Sequence, residues 1–152
     1  MSLVSEKPIF TITSTLAGIL KFGATPYGER RIINILGGSV DGPKLKGRIL
    51  PGGADWQIVR ADGVVHLHAR YTVETETGGL ILVNSEGLRH GTPEVMARLA
   101  RDETVDPSLY YFRAFMRFET GDPAAAFLNR ILAIGRGSRE HQAVRIEVFE
   151  VL

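Results

Sequence analysis

The sequence predicts a mainly β protein, an antiparallel, closed or nearly closed β-barrel of about eight to ten strands with one short helix. Short apolar segments alternate with a period of two and are separated by glycine- and proline-rich turns, a pattern typical of antiparallel sandwiches and barrels. The 152 residues match the size of one domain, and no fixed-period repeat or linker divides them. We therefore expect one β-barrel domain over residues 1–152, with residues 1–8 as a flexible N-terminus.

The predicted sheet is organised around a long hairpin between Val64 and Arg89. Apolar or small residues alternate with polar ones on its first strand, so each set occupies one face. The paired Gly78-Gly79 supplies the positive φ of a tight turn. A two-residue turn would place Arg70 opposite Gly87, whereas a three-residue turn would place it opposite Glu86. The register decides whether Arg70 belongs to a cationic pocket or to a structural ion pair.

Before the hairpin, Gly18 in the middle of the first strand suggests a bulge or bend of the kind that closes barrels. After the hairpin, Thr92 suits the N-cap of a helix and Pro93 its first position. Apolar residues then recur at helical spacing up to Leu99. The other predicted elements are strands at Ile9–Phe22, Arg30–Leu36, Lys44–Leu50, Trp56–Arg60, Tyr110–Glu119, Ala126–Gly135 and Ala143–Leu152, and the helix at Pro93–Arg101. Residues 122–126 could instead form a helical turn before the strand that ends at Gly135.

Composition excludes several classes of protein. The 18 basic and 17 acidic residues give a net charge of +1, which argues against a nucleic-acid partner. The absence of cysteine excludes disulfides, thiolate catalysis and zinc–thiolate sites. The N-terminus has no basic region followed by an apolar stretch, and no later run is long enough to span a bilayer. We expect a cytoplasmic protein that has no membrane partner.

Six short motifs stand in a specific order: Leu50–Trp56, Ala69–Tyr71, Asn84-x-x-Gly87-x-Arg89, Tyr111–Arg113, Phe118–Gly121 and Leu128-Asn129. Each motif alone is weak, but together, from about Ile9 to Leu152, they resemble the DUF3237 (UPF0311) family of small bacterial and fungal β-barrel proteins. That family has no established general activity. The resemblance implies a barrel similar to the calycins, with a pocket, and leaves the chemistry open.

The predicted pocket is polar and contains arginine. The central strands carry more charged groups than an apolar interior needs, and ionised groups are rarely buried unless they are paired. A guanidinium in the pocket would offer bidentate contacts to a carboxylate, whereas one paired within the protein would only brace the barrel. Trp56 either stacks on a planar ligand or fills the core. The predicted ligand-binding residues are Trp56, Arg70, Arg89, Arg113 and Asn129.

Candidate catalytic groups are carboxylates. Asp55 and Glu119 are the candidate general bases. His66-x-His68 places two imidazoles on one strand face, but Glu74 follows after five residues, whereas a cupin-type metal site places its Glu after three or four. We therefore predict neither a metal nor a cofactor.

Three functions remain open at this point. The first is a small-molecule-binding barrel for an acidic or carbonyl-bearing metabolite. The second is a cofactor-free isomerase, lyase or hydrolase, with Asp55 or Glu119 as base and Arg70 or Arg113 stabilising developing charge. The third is a structural or partner-binding module that forms a homo-oligomer. An interior with every charge paired would favour the third, and a carboxylate beside a bound ligand the second.

Overall fold

Nine antiparallel strands close into a barrel in the computed structural model, which describes residues 1–152. The strands are β1 (Phe10–Thr25), β2 (Gly28–Asp41), β3 (Gly47–Ile49), β4 (Gly53–Val59), β5 (Val65–Thr75), β6 (Leu80–Gly91), β7 (Tyr110–Thr120), β8 (Ala133–Glu140) and β9 (Ala143–Glu150). Strands β3 and β4 both pair with β2 and β5, so they share one of eight positions in the barrel. Pairing of β1 with both β2 and β9 closes the ring, which confirms the predicted fold class.

The apolar face of β5 lines the interior. Val65, Leu67 and Tyr71 are buried, whereas Arg70, which has the opposite phase in the strand, is exposed. Because successive side chains point to opposite faces, the whole polar set of β5 lies on the outer surface. Of the two roles considered for Arg70, membership of a cationic pocket inside the barrel is therefore wrong.

The register of the β5–β6 hairpin also differs from both predicted alternatives. Arg70 pairs with Asn84, not with Gly87 or Glu86. The turn is centred before Gly78-Gly79, because the N–H of Thr75 donates to the Gly79 carbonyl at 2.8 Å and the N–H of Gly78 to the Thr75 carbonyl at 2.9 Å. Gly78, with a φ of +88°, supplies the left-handed residue that this longer turn requires.

The prediction of a strand at Ala126–Gly135 is wrong in its first half. A 3₁₀ helix spans Pro123–Arg130, and strand β8 begins only at Ala133. Asp122 caps this helix by accepting the N–H of Ala124 at 3.0 Å, and Pro123 occupies its first turn. The helix places Leu128, which is fully buried, into one end of the barrel.

Two other predicted strands have different lengths. Strand β3 covers only Gly47–Ile49 of the predicted Lys44–Leu50, and β2 continues past the predicted end at Leu36, through Gly37-Gly38, to Asp41. Gly38 lets β2 continue there because it has a φ of +141°, and a Cβ at that position would overlap the carbonyl oxygen of Thr13. The predicted bulge near Gly18 is confirmed by a register shift between Leu16 and Ile19.

The predicted helix, α1 (Pro93–Ala100), covers the opposite end of the barrel from Leu128. Thr92 accepts the N–H of Val95 at 3.2 Å as its N-cap, as the sequence predicts. After the helix, Asp102 accepts the N–H of Gln142 at 3.0 Å and lies 3.2 Å from the guanidinium of Arg139, so the segment is fastened to the β8–β9 turn. A second 3₁₀ helix, Pro107–Leu109, leads into β7.

Apolar clusters fill the two ends of the barrel and leave a polar region between them. A large cluster that includes Phe10, Ile81 and Leu128 fills one end, and a smaller one with Leu99 and Phe112 lies under α1. The segment expected to be a flexible N-terminus makes backbone hydrogen bonds to the last strand region, among them Ser5 to Glu150 at 2.9 Å.

Candidate functional site

A cavity occupies the polar region of the barrel, between the two apolar clusters. The volume of this cavity that is open to the centres of water molecules is about 40 Å³. It holds roughly three waters. Its walls mix apolar side chains with polar ones contributed by five strands. The polar residues are Ser14, Asp55, Gln57, Tyr71, Ser85, Arg89 and Arg139.

Three buried arginines dominate the charge of this region. Arg31, Arg89 and Arg139 are 8%, 5% and 5% exposed, respectively. Arg139 is the only one of them in an ion pair, with Asp102, and it also donates to the carbonyls of Glu140 and Ala143 at 2.8 and 3.0 Å. Arg31 and Arg89 have no such carboxylate partner, and the Nε of each lacks any hydrogen-bond partner.

Arg89 is the most unusual of the three. Its guanidinium lies over the ring of Phe112, 5.6 Å from the centroid, which stabilises a cation that has lost its water. Burial lowers the pKa of Arg89 to about 10, against the opposing attraction of Asp55. The side chain is therefore still protonated at neutral pH and places a positive charge on the cavity wall.

Asp55 is the one carboxylate that lines the cavity. Its Oδ2 accepts the Nε2 N–H of Gln57 at 2.8 Å, and its Oδ1 accepts the backbone N–H of His68 at 3.0 Å. Burial raises the pKa of Asp55, while these two hydrogen bonds and the charge of Arg89 act in the opposite direction. Since Asp102 pairs with Arg139 and Glu29 attracts Arg31, the buried cation that depends on Asp55 alone is Arg89.

Four buried polar atoms of this region have no hydrogen-bond partner. They are Arg31 Nε, Gln57 Oε1, Tyr71 Oη and Arg89 Nε. Buried polar atoms are nearly always paired in folded proteins, with protein, water or ligand. All four atoms belong to side chains that line the cavity or its mouth.

The cavity adjoins a wider mouth. Strands β1 and β9 pair only as far as Thr15 and Ala143, so the wall opens beyond that point. The mouth, about 380 Å³ in the same measure, shares Arg89 and Arg139 with the cavity. Arg31 and residues of α1 also line it. A ligand entering here would pass the three arginines before it reached the interior.

Two of the residues predicted from the sequence lie in the cavity and two lie on the outer wall. Asp55 and Arg89 line the interior. Trp56 is 38% exposed on the outside, because it follows Asp55 by one residue and side chains alternate. Arg70 is exposed on the outer face of β5. The prediction that Trp56 lines the pocket with Arg70 does not fit this arrangement.

The remaining predicted residues also lie outside the cavity. Arg113 is exposed on β7, where its guanidinium lies 5.6 Å from the centroid of the Tyr111 ring. Asn129 exchanges two hydrogen bonds of 2.9 Å with the backbone of Thr120, so it fastens the 3₁₀ helix to β7. Glu119 is exposed on the outer face of β7. None of these three side chains can contact a ligand in the interior.

The histidines lie on the outer wall as well. His68 Nε2 is 3.1 Å from Asn84 Oδ1, and His66 Nε2 is 3.7 Å from Glu86. Glu74 pairs instead with Arg48 at 2.9 Å. No group of three or more potential ligand residues comes close enough together to hold a metal ion.

Six polar residues of the site were not predicted from the sequence: Ser14, Arg31, Gln57, Tyr71, Ser85 and Arg139. They share one signal, which is that each lies in the inward-pointing phase of its strand. Arg31 follows the same alternation as Ile33 and Ile35, which are buried. A polar residue in phase with an apolar inward set, rather than one on the polar face, marks the interior of this barrel.

Comparison with known proteins places this barrel among relatives. Residues 4–151 match the family described as "Protein of unknown function (DUF3237)". The chain belongs to the DUF3237 family. A UPF0311 protein of Rhodopseudomonas palustris is 42% identical over 149 residues, which cover 98% of this chain and 97% of that protein. A UPF0311 protein of Clostridium acetobutylicum is 33% identical, with 97% and 94% covered.

Solved structures extend the comparison. A Rhodopseudomonas palustris protein of unknown function superposes on this DUF3237 chain with a TM-score of 0.92 at 39% identity, covering 100% of this chain and 99% of that one. A β-barrel-like protein of Acinetobacter baumannii gives a TM-score of 0.83 at 39% identity, covering 99% and 97%. An enzyme from Penicillium herquei, 18% identical with a TM-score of 0.72 and 100% and 97% covered, shares the fold.

None of the helices has both the length and the apolar character needed to cross a membrane.

Proposed function

We propose that this DUF3237 protein binds a small anionic metabolite, with its acidic or carbonyl-bearing end inside the barrel. The observation that carries the proposal is Arg89. Its guanidinium is 5% exposed, its Nε has no partner, and no carboxylate of the chain pairs with it. A buried cation without a partner is costly, whereas a carboxylate from a ligand would form charge-assisted hydrogen bonds with it.

The surrounding charges support the same function. Arg31 and Arg139 lie at the junction of cavity and mouth, where Asp102 pairs with Arg139 and Glu29 attracts Arg31. For Arg89, Asp55 is the one carboxylate whose charge acts on the guanidinium, and it forms no ion pair with it. A structural module would gain nothing from such an unpaired guanidinium, because every unpaired buried charge destabilises its fold. The partnerless polar atoms therefore favour a binding role over a purely structural one.

The direct experiment has two parts. Native mass spectrometry of the purified protein should reveal a co-purifying small acid, together with the mass of the assembly. Calorimetric titration with butanoate should then show saturable binding of one molecule per chain. Failure of acetate, butanoate and benzoate to bind a protein that carries no co-purified ligand would contradict the proposal.

Asp55 supports a second candidate, a cofactor-free enzyme that moves a proton. It is the one carboxylate that lines the cavity, it lies among cationic groups that stabilise an enolate, and burial raises its pKa toward the range of a general base. Glu119, the other base suggested by the sequence, lies outside the barrel. An isomerase or lyase would use Asp55 as base and Arg89 as the group that stabilises developing negative charge.

Exchange of substrate protons tests this second candidate. In D₂O, the protein should accelerate incorporation of deuterium at C3 of 2-oxobutanoate, followed by NMR. Asp55→Asn should abolish the acceleration, and Glu119→Gln should retain it. Equal rates with and without protein would eliminate proton abstraction from this substrate while leaving binding untouched.

The raised pKa of Asp55 predicts a pH dependence of stability. In the native state Asp55 holds its proton above the ordinary value of 3.8, so the native state binds more protons than the unfolded state in this window. Its contribution to stability is complete below pH 3.8 and is lost as the pH rises through the native pKa. The free energy of unfolding of the wild type, minus that of Asp55→Asn, should fall with rising pH. A difference that rises instead would show that Asp55 is stabilised as the anion.

A further inference from the structure

The partnerless atoms of the cavity differ in kind, and the difference constrains the ligand. Arg31 Nε and Arg89 Nε can only donate hydrogen bonds, Gln57 Oε1 can only accept, and the hydroxyl of Tyr71 can do both. Gln57, Tyr71 and Arg89 line the cavity, and Arg31 lines the mouth that adjoins it. A ligand that forms hydrogen bonds with all four atoms must carry both a hydrogen-bond acceptor and a hydrogen-bond donor.

The orientation of the Gln57 amide leaves its oxygen as a free hydrogen-bond acceptor. Its Nε2 lies 2.8 Å from Asp55 Oδ2 and donates to it. Because the nitrogen donates to Asp55, the oxygen is the free end of the amide. Gln57 is 1% exposed, and this oxygen has no partner in the chain. It needs an O–H or N–H from whatever occupies the cavity.

Tyr71 supplies the complementary group. The side chain is 4% exposed and its hydroxyl has no partner. Burial, assisted by the charge of Asp55, raises the pKa of the hydroxyl, so it stays protonated and can donate. A ligand hydroxyl can accept from Tyr71 while it donates to Gln57, which no carbonyl or alkyl group can do.

We propose that the ligand is a hydroxycarboxylic acid, with its carboxylate on Arg89 and Arg31 and its hydroxyl between Gln57 and Tyr71. This inference rests on the proposed anion-binding function and adds the second functional group of the ligand. A plain carboxylate leaves Gln57 Oε1 unpaired, and a keto acid leaves it facing another acceptor. An amino acid satisfies it but brings an ammonium group among three buried cations.

A matched series of four-carbon acids tests the assignment by calorimetric titration: butanoate, 2-hydroxybutanoate, 3-hydroxybutanoate, 2-oxobutanoate and 2-aminobutanoate. At least one hydroxy acid should bind about tenfold or more tightly than butanoate, because a buried acceptor left unpaired costs that much affinity. Butanoate should bind in turn at least as well as the amino acid.

Two variants locate the preference. Gln57→Met should reduce the ratio of hydroxybutanoate to butanoate affinity to within about twofold, while butanoate binding to the arginines persists. Tyr71→Phe, which removes one oxygen without changing the ring, should reduce the same ratio and serves if Gln57→Met does not fold.

The outcomes separate this inference from the proposed function. Equal affinity for butanoate and both hydroxy acids in the wild type overturns the hydroxycarboxylate assignment and leaves anion binding standing. A preference for the hydroxy acid that survives in both variants also overturns the hydroxycarboxylate assignment, because groups other than Gln57 and Tyr71 then bind the hydroxyl. Absence of binding by every acid of the series overturns both proposals.

Discussion

Replacing Arg89 by methionine should weaken carboxylate binding by at least about 30-fold while leaving the fold intact. The loss follows from removing a buried charge-assisted contact, which costs about 2 kcal/mol or more. The free energy of unfolding should stay within about 1 kcal/mol of the wild type or rise, because the empty cavity no longer holds an unpaired cation. Denaturant unfolding and titration with butanoate measure the two effects.

Arg70→Met is the matched control. Arg70 lies on β5, next to the strand that carries Arg89, but on the outer face of the barrel. Its removal should change stability by no more than about 0.5 kcal/mol and leave binding unaltered. The binding role of Arg89 is refuted if Arg89→Met costs about 3–5 kcal/mol and the folded fraction still binds butanoate normally.

Truncating Leu128 to alanine should destabilise the barrel by about 2–5 kcal/mol. Leu128 is 0% exposed and belongs to the large apolar cluster that fills the end of the barrel opposite α1. Its loss would open a cavity that the closed wall of strands cannot collapse to fill. For a chain of this length the melting temperature should fall by about 5–15 °C.

Leu132→Ala provides the comparison, since the same change is made four residues further on at a side chain that is 56% exposed. It should alter the free energy of unfolding by less than about 0.5 kcal/mol. Equal effects of the two substitutions would mean that the 3₁₀ helix does not seal that end of the barrel.

Much of the fold can be predicted from the sequence because its strongest signals are local. Alternation along β5 and the capping residues Thr92 and Pro93 depend on neighbours within a few residues. The segment Pro123–Arg130 was predicted less well, since its apolar residues suit a strand as readily as a short helix. Asp122 and Pro123 are the capping signals that favour the helix.

The hairpin register illustrates the limit of local signals. Gly78-Gly79 is compatible with several turns, and the one adopted also depends on Thr75, whose hydroxyl accepts the N–H of Gly79 at 2.9 Å. That hydrogen bond depends on the side chain of Thr75, which the glycine pair alone does not specify. A shift in register changes every cross-strand neighbour, so Arg70 faces Asn84 instead of either predicted partner.

The site was predicted in part, for a reason that the barrel makes plain. The expectation of a polar, arginine-containing pocket led to the polar faces of the strands, where Arg70 and Arg113 lie outside. The interior belongs to the apolar phase, and the polar residues embedded in that phase, such as Arg31 and Arg89, are its functional candidates. Asp55 and Trp56 are adjacent in the chain, yet the first side chain lines the cavity and the second lies on the outer surface.

Closure of the barrel through β1 and β9 has a consequence for how the chain folds. Phe10 pairs with Val148, so the last seam joins segments separated by most of the sequence. Such long-range pairing is entropically costly to establish and slows folding. During synthesis, β1 has β2 beside it early, but its other edge stays open until β9 emerges from the ribosome. The ring is therefore completed last, and until then both unpaired edges are exposed to other chains.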